Sequence, residues 1–534
     1  MSAINRRTVL VVATLVIVCF AGGCDQQART KELAPTLDLG DTIGSLAGVL
    51  SPESIPVSGY GLVGGLRGTG SAECPPRIRA YLTRYILKQL PGQERLDVEK
   101  LMNSAETAVV LVEGIMPAIA SKSEHFDIRV TALEGTQTTS LEGGWLFGAE
   151  LKIAGSFGIA TRAIADAEGP VFIDRISTSR VNKRAGYVLA GGTVLEEYKV
   201  GLVLSEPDFK ITSSIRNRLN ERFGAGTAKA VLPGRIELTV PAKYREQRQR
   251  FIAMVQATYL THGPEITQER IRMLVRRLVG SEDKYASEVA LEAIGNESLG
   301  RLSILLSSSN VRVRLHAARC MLNLCSDAGL APLRQIAMDR DSPYRLEALE
   351  SITLAARRND AASVSRMLLR DDDFRIRLAA YEQLQRLGDI AVVQTLVARQ
   401  FYLERVTQTE YKTIFVSRSG QPRIVLFGAP IYCSGNIFVR SDDGDITINA
   451  PTGQQYVTIV RKHPKRPSVI AQLRSSFEVG DIIQALCEQP PKEGEPGRGG
   501  LGVSYADMIA LLKQMCDKGA VRAEFRAGPL PKIG

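Results

Sequence analysis

The sequence predicts an α+β protein interrupted by an array of α-helical repeats. Three observations predict it. Over about 44–258, stretches with apolar residues at every second position alternate with stretches where they recur every third or fourth. Over about 264–400 the helical period continues and the sequence repeats itself. From 401 onward the period-two alternation returns. A chain of 534 residues is too long for one hydrophobic core, so roughly two to four domains are expected. Apolar residues make up 44% of it, which excludes wholesale disorder. A formal net charge of +10 describes a solvated basic surface that suits anionic neighbours such as wall polymer, lipid headgroups or nucleic acid.

The first residues read as a targeting segment. Arg6 and Arg7 precede an apolar run over 9–20, followed by Ala21-Gly22-Gly23-Cys24 and polar residues. The run is too short to span a bilayer comfortably. Residues 1–24 resemble a bacterial lipoprotein signal, with Ala21 where that pattern usually has Leu. The resemblance implies that Cys24 is acylated and anchors the chain to a membrane; an ordinary signal peptide cut nearby is the alternative. Residues 25–43 form a polar tether. The cysteines beyond the signal, Cys74, Cys320, Cys325, Cys433, Cys487 and Cys516, are scattered without a C-x-x-C pair, which argues against a zinc site. Cys320 and Cys325 share one helical stretch and are read as buried thiols.

Within 44–258, Pro75 and Pro76 open a helix whose Ile78, Leu82, Ile86 and Leu90 recur every fourth residue. HFDIRVTAL over 125–133 alternates as a half-buried strand. DFKITSSIRNRLNERFG is a second helix, capped by Asp208 and stopped by Gly224, and RIELTVPAKY a further strand. Over 264–400, Arg314, Arg345 and Arg377 correspond, spaced 31 and 32 residues apart, each followed by Leu and then by Ala317, Ala348 or Ala380. Asn310, Asp341 and Asp373 stand at the turns before them, and a fainter copy starts at Ala286. The pattern resembles HEAT repeats, which implies an α-solenoid of stacked helix pairs; the small alanines let the helices approach. Residues 401–488 read as mainly β, 489–502 as a Pro- and Gly-rich linker, and 503–534 as a helix, opened by Ser504 and Asp507, followed by the strand AVRAEFRA.

The segment 59–70 reads GYGLVGGLRGTG, and its start matches G-x-G-x-x-G. A dinucleotide site needs a strand before the glycines, a helix opening on the last, and an acidic residue about twenty positions on. Residues 51–57 hold two prolines, 64–70 is no helix start, and Thr83-Arg84-Tyr85 stands where the acid belongs. The expectation is a short glycine-spaced strand entering a tight turn where glycine supplies positive φ. Gly59, Tyr60, Gly61, Gly65, Gly68, Thr69 and Gly70 are then a structural motif with no cofactor attached.

That motif is similar to the hallmark of the bacterial flagellar P-ring protein family, close to GYGLVVGLNGTGD. SLEGGWLFGAEL and the stretch from Ser205 to Pro241 also resemble the family, as does YADMIALLKQMCDKGAVRAEF near the end. The resemblance covers about 44–256 and 503–527, and 401–470 weakly. The fold class it implies is P-ring-type mixed strand and helix domains interrupted by an inserted HEAT-like α-solenoid. It also implies a non-enzymatic subunit that self-associates in the periplasm into a ring around the flagellar rod. Its partners would be the L-ring protein, peptidoglycan and a periplasmic assembly chaperone. The α+β part would supply the ring interfaces, and the repeats an outward-facing arm for further partners. The alternative is a lipid-anchored scaffold that binds an envelope partner through its repeats. Catalysis is not expected: the four histidines stand apart, no G-x-S-x-G occurs, and Asp371-Asp372-Asp373 reads as a solvated capping cluster. The basic run Arg461-Lys462-His463-Pro464-Lys465-Arg466 reads as a charged loop, and a single Trp145 offers no stacking platform for nucleic acid.

Overall fold

The computed structural model describes residues 40–50, 54–89, 98–155, 162–177, 181–197, 200–463, 466–489 and 499–533. Cys24 and the rest of the signal lie outside them, as does most of the 489–502 linker. Helix α1 (Ile43–Leu46) runs into β1 (Ala47–Leu50), and then β2 (Ile55–Gly64), α2 (Pro76–Gln89) and α3 (Val98–Met102) follow. Next come β3 (Thr107–Met116), β4 (His125–Ala132), β5 (Trp145–Ile153), β6 (Ala165–Pro170), β7 (Ala185–Val194) and β8 (Val200–Leu204). Strands β2 to β7 close into an antiparallel barrel in the order β2-β3-β4-β7-β6-β5.

The barrel follows from period-two alternation. Val110 and Val112 on β3 and Ile128 and Val130 on β4 point into one core, while Leu62 and Val109 point outward and are covered by Leu82 of α2. Closing the sheet removes the free edges that an open sheet would expose. Strand β2 starts at Ile55 and runs through Pro56, against the expectation drawn from the prolines. Pro56 is exposed near the strand's start, and its carbonyl still accepts the Ala154 N–H at 2.9 Å.

Helix α4 (Phe209–Phe223), strands β9 (Ala228–Leu232) and β10 (Arg235–Leu238) and helix α5 (Arg248–Ala257) complete the next unit, a sheet ordered β1-β8-β10-β9. Asp208 caps α4 by accepting from the N–H groups of Lys210 and Ile211, and Gly224, with φ 108°, ends it. Strand β10 stops at Leu238, short of the reach expected for RIELTVPAKY.

The helical array comprises α6 (Pro264–Gly280), α7 (Tyr285–Ile294), α8 (Leu299–Leu305), α9 (Val311–Asn323), α10 (Leu330–Met338), α11 (Arg345–Ala355), α12 (Arg358–Leu368) and α13 (Phe374–Arg386). Ala317, Ala348 and Ala380 are fully buried where neighbouring helices meet. Asn310 and Asp373 cap α9 and α13, whereas α11 starts after Tyr344 without a side-chain cap from Asp341. Cys320 is buried as expected, but Cys325 lies beyond the end of α9, exposed and with φ 63°.

The array is no free arm. At one end Val289 and Ala293 of α7 join the core beneath the β1-β8-β10-β9 sheet. At the other, helices α11 to α13 share a core with Val406, Phe415, Val425 and Phe427. These belong to β12 (Phe401–Val406), β13 (Thr413–Val416) and β14 (Arg423–Phe427), which share a sheet with β11 (Val392–Val397), a strand inside the range expected to be helical. Strands β15 (Ile437–Arg440), β16 (Ile446–Ala450), β17 (Val457–His463) and β18 (Arg466–Ser475) form a separate antiparallel sheet. The basic run expected to be a loop therefore falls largely on paired strands.

Helices α14 (Val479–Cys487) and α15 (Tyr505–Asp517) fill the core below, and the last strand, β19 (Glu524–Ala527), pairs in parallel with β13. The Ser504 hydroxyl accepts the Asp507 N–H at 3.2 Å and donates to its carboxylate at 2.7 Å. This last body docks on the barrel: the Arg418 guanidinium donates to Asp174 at 3.1 Å, and both Asp127 carboxylate oxygens lie 2.9 Å from the Gly420 N–H.

Candidate functional site

The glycine segment occupies β2 and the turn that leaves it. Gly59 and Gly61 sit on the barrel-facing side of β2, in step with Val57 and Val63. A Cβ on Gly59 would stand 2.2 Å from the Glu150 carbonyl oxygen, and one on Gly61 2.7 Å from Leu146 Cδ1. These glycines therefore serve the close crossing of β5 over β2 inside a narrow barrel. Tyr60 points the other way and packs into the cluster beneath α2.

Beyond the strand the requirement changes from space to backbone angle. Gly65, Arg67 and Gly68 have φ of 81°, 51° and 86°. Arg67 and Gly68 are the central pair of a turn closed by the Thr69 N–H on the Leu66 carbonyl at 3.0 Å. A side chain at Gly68 would meet nothing within 4 Å, so only its φ calls for glycine. The Thr69 hydroxyl shares its proton between the carbonyls of Leu66, at 2.7 Å, and Ser140, at 2.8 Å. Gly70 donates to the Ala105 carbonyl at 2.8 Å, and a Cβ there would lie 2.1 Å from the Thr107 carbonyl oxygen. Gly65, Arg67 and Gly68 form the exposed tip.

That tip lies beside the barrel's contact with the C-terminal body. Arg175 pairs there with Glu142, with Asp507 at 3.0 Å and with Asp443 at 3.8 Å. Nearby Arg461 is held below the usual arginine range by burial, which the positive charge of Arg67 reinforces against Asp507.

The repeat arginines point inward. Arg314 donates to the Ser308 carbonyl at 2.6 Å, and Arg377 to the carbonyls of Asp371 and Asp372, both at 2.8 Å. Arg345 donates to the Ala337 carbonyl at 3.1 Å and pairs with Asp371. Arg314 and Arg377 bond carbonyls in the stretch just before their own helices, and Arg345 bonds one in the last turn of α10, stitching consecutive helices together. Asp371 is consequently buried and ion-paired, contrary to the solvated cluster expected of it, while Asp373 does cap α13.

One constellation escaped the sequence. On α7, Glu288 and Glu292 are buried against Arg250 of α5, and Glu288 also takes Arg319 and the His316 Nδ1 at 2.6 Å. Burial alone would raise the Glu288 carboxyl, but Arg250 and Arg319 outweigh it and hold it well below the usual range. Burial dominates at Glu292 and raises it. Beside this network lies a cavity of about 500 Å³ between α5, α7, α9 and α11. The i,i+4 spacing of the two glutamates is the only trace in the sequence, and exposed helix faces carry the same spacing.

His125 lies 3.2 Å from the Thr193 hydroxyl at the barrel rim, and His262 is exposed. Among the described residues no group of three or more His, Cys, Asp or Glu side chains is placed to hold a metal ion. No described helix is long and apolar enough to cross a membrane.

Barrel, docked sheet and stitched helices define the class: an α+β protein whose polar networks bind its own elements together. Residues 42–271 match the family model described as flagellar P-ring protein. The flagellar P-ring protein of Thermotoga maritima is 29% identical over 212 residues, covering 37% of this chain and 60% of that one. The one from Anaeromyxobacter sp. (strain K) is 28% identical over 269 residues, 48% of this chain and 65% of that protein. The one from Albidiferax ferrireducens is 27% identical over 313 residues, 57% and 76% respectively. The first two alignments thus span less than two thirds of those relatives' length. The family match begins at α1 and ends within α6, so it takes in the whole barrel, the β1-β8-β10-β9 sheet and the glycine turn.

Proposed function

We propose that this chain is a structural subunit of the flagellar basal-body P ring. It self-assembles in the periplasm around the rod and acts as a bushing in the peptidoglycan layer. The observation that carries this reading is the family match across one continuous unit, barrel plus docked sheet. A ring of identical subunits needs two different faces of each subunit to meet. In this reading the P-ring unit supplies them, with the turn at Arg67 and Gly68 on one, and the helical array is an insertion. The L-ring protein and an assembly chaperone would be further partners. The test is electron microscopy of isolated basal bodies with antibody against this chain. Label on the periplasmic ring, lost on deletion together with swimming, is the expected outcome; rings that persist unlabelled would overturn the reading.

A second reading is favoured by the extent of the array outside the family match and by the lipoprotein-like Cys24. In it the chain is a membrane-anchored periplasmic scaffold that binds an envelope partner and joins no ring. Metabolic labelling with a fatty acid, compared between the native chain and Cys24→Ala, tests the anchor.

A further inference from the structure

A cavity of about 720 Å³ opens between α4, α6 and the turn after α7, where the P-ring unit meets the first array helices. Three guanidiniums line it. Arg222 is held by the carbonyls of Ala293, at 2.8 Å, and Glu292, at 2.7 Å. Arg270, 2% exposed, donates to the Thr261 carbonyl at 2.6 Å and hydroxyl at 2.9 Å, with its guanidinium carbon 4.0 Å from the Tyr259 ring centre. Arg218 donates to the Tyr259 carbonyl at 3.2 Å and to Glu221 at 3.0 Å.

Carbonyl oxygens fix the Arg222 guanidinium's direction without cancelling its charge, whereas Arg218 is ion-paired with Glu221 on its outer side. The acids on the lining, Glu221 and Glu297, are both exposed at the rim. Helix α6 starts at Pro264 with Gly263 as its cap, so the cap supplies no side-chain bond to its first N–H groups, while Glu265 in its first turn offsets part of the positive end. Burial lowers Arg270 from the ordinary arginine value; Tyr259 opposes this and Arg218 adds to it.

We propose that this cavity binds a small ligand carrying an oxyanion, carboxylate or phosphate, seated between Arg218 and Arg222. Planar guanidiniums with fixed bearings match either group in two-pronged fashion, and each charge-assisted contact made out of bulk water adds materially to affinity. The site lies across the join between the P-ring unit and the array, so its occupant would brace the two. The inference does not depend on ring assembly.

Isothermal titration of the purified mature chain with inorganic phosphate, and separately with citrate, tests it at matched ionic strength. Saturable binding of one or both is expected, and the stronger of the two names the class. Arg222→Gln and Arg218→Gln should each weaken it about tenfold. Should Arg222→Gln fail to fold by circular dichroism, Arg218→Gln alone decides. No saturable heat with either probe, or equal binding by a folded variant, would overturn the site.

Discussion

The barrel and the helical array solve the same problem with opposite means. In the barrel, strand β2 and the turn that leaves it meet their neighbours at positions where any side chain is excluded, as at Gly59 and Gly70, so the backbone carries the specificity. In the array the helices are held by side chains: alanines set the approach, and Arg314, Arg345 and Arg377 clamp carbonyls. The barrel should therefore be intolerant of added atoms, and the array of removed ones.

The largest effect is expected from Gly70→Val. Its Cβ meets the Thr107 carbonyl oxygen, which belongs to the barrel backbone and cannot swing aside, so a loss of about 4 kcal/mol or more should leave little soluble protein. Glu288→Gln tests the array's side of the comparison. It leaves Arg250 and Arg319 buried with one fewer charge between them and should cost about 3–5 kcal/mol in urea unfolding, with the loss localised to α7 and α9 by hydrogen exchange.

Acid should then separate the two regions. Glu288 and Asp371 are held below their ordinary values, so the stability they contribute is present above about pH 4 and lost as pH falls through their folded values. Glu292, raised by burial, works in the opposite sense and offsets part of the loss. Amide protection factors, taken against the intrinsic rate at each pH from about pH 6 to about pH 3, should fall in the array before the barrel core; simultaneous loss would remove the distinction. The smallest effect belongs to Gly68→Val. With open space around it, only the unfavourable φ is charged, about 1–2 kcal/mol, so a folded chain is expected. If such a folded variant assembled into rings as the native chain does, the exposed tip would have no part in subunit contact.

Much of this architecture was legible where the local pattern and the final environment agree. Asp208 and Gly224 bound α4 as their chemistry demands, and the strand at His125–Ala132 alternates as written. Legibility failed where tertiary context reversed a local cue. Pro56 argued against a strand yet stands in one because it lies exposed near the strand's start. The repeats suggested an outward-facing arm because they resemble HEAT repeats, stacked arrays that serve as partner-binding surfaces; nothing local says that β13 and β14 cover the last of them.

Taken alone, the order of residues determined the alternation of strands and helices, the repeat of the array and the turn that needs glycine at Gly68, because propensity, periodicity and backbone sterics act over a few neighbouring positions. Only the tertiary structure decided that Gly59 and Gly61 serve a strand crossing, that Glu288 and Glu292 are buried against Arg250, and that Arg218, Arg222 and Arg270 converge on one cavity. Charge pairing and steric exclusion between distant segments depend on which surfaces meet, and no local pattern encodes that.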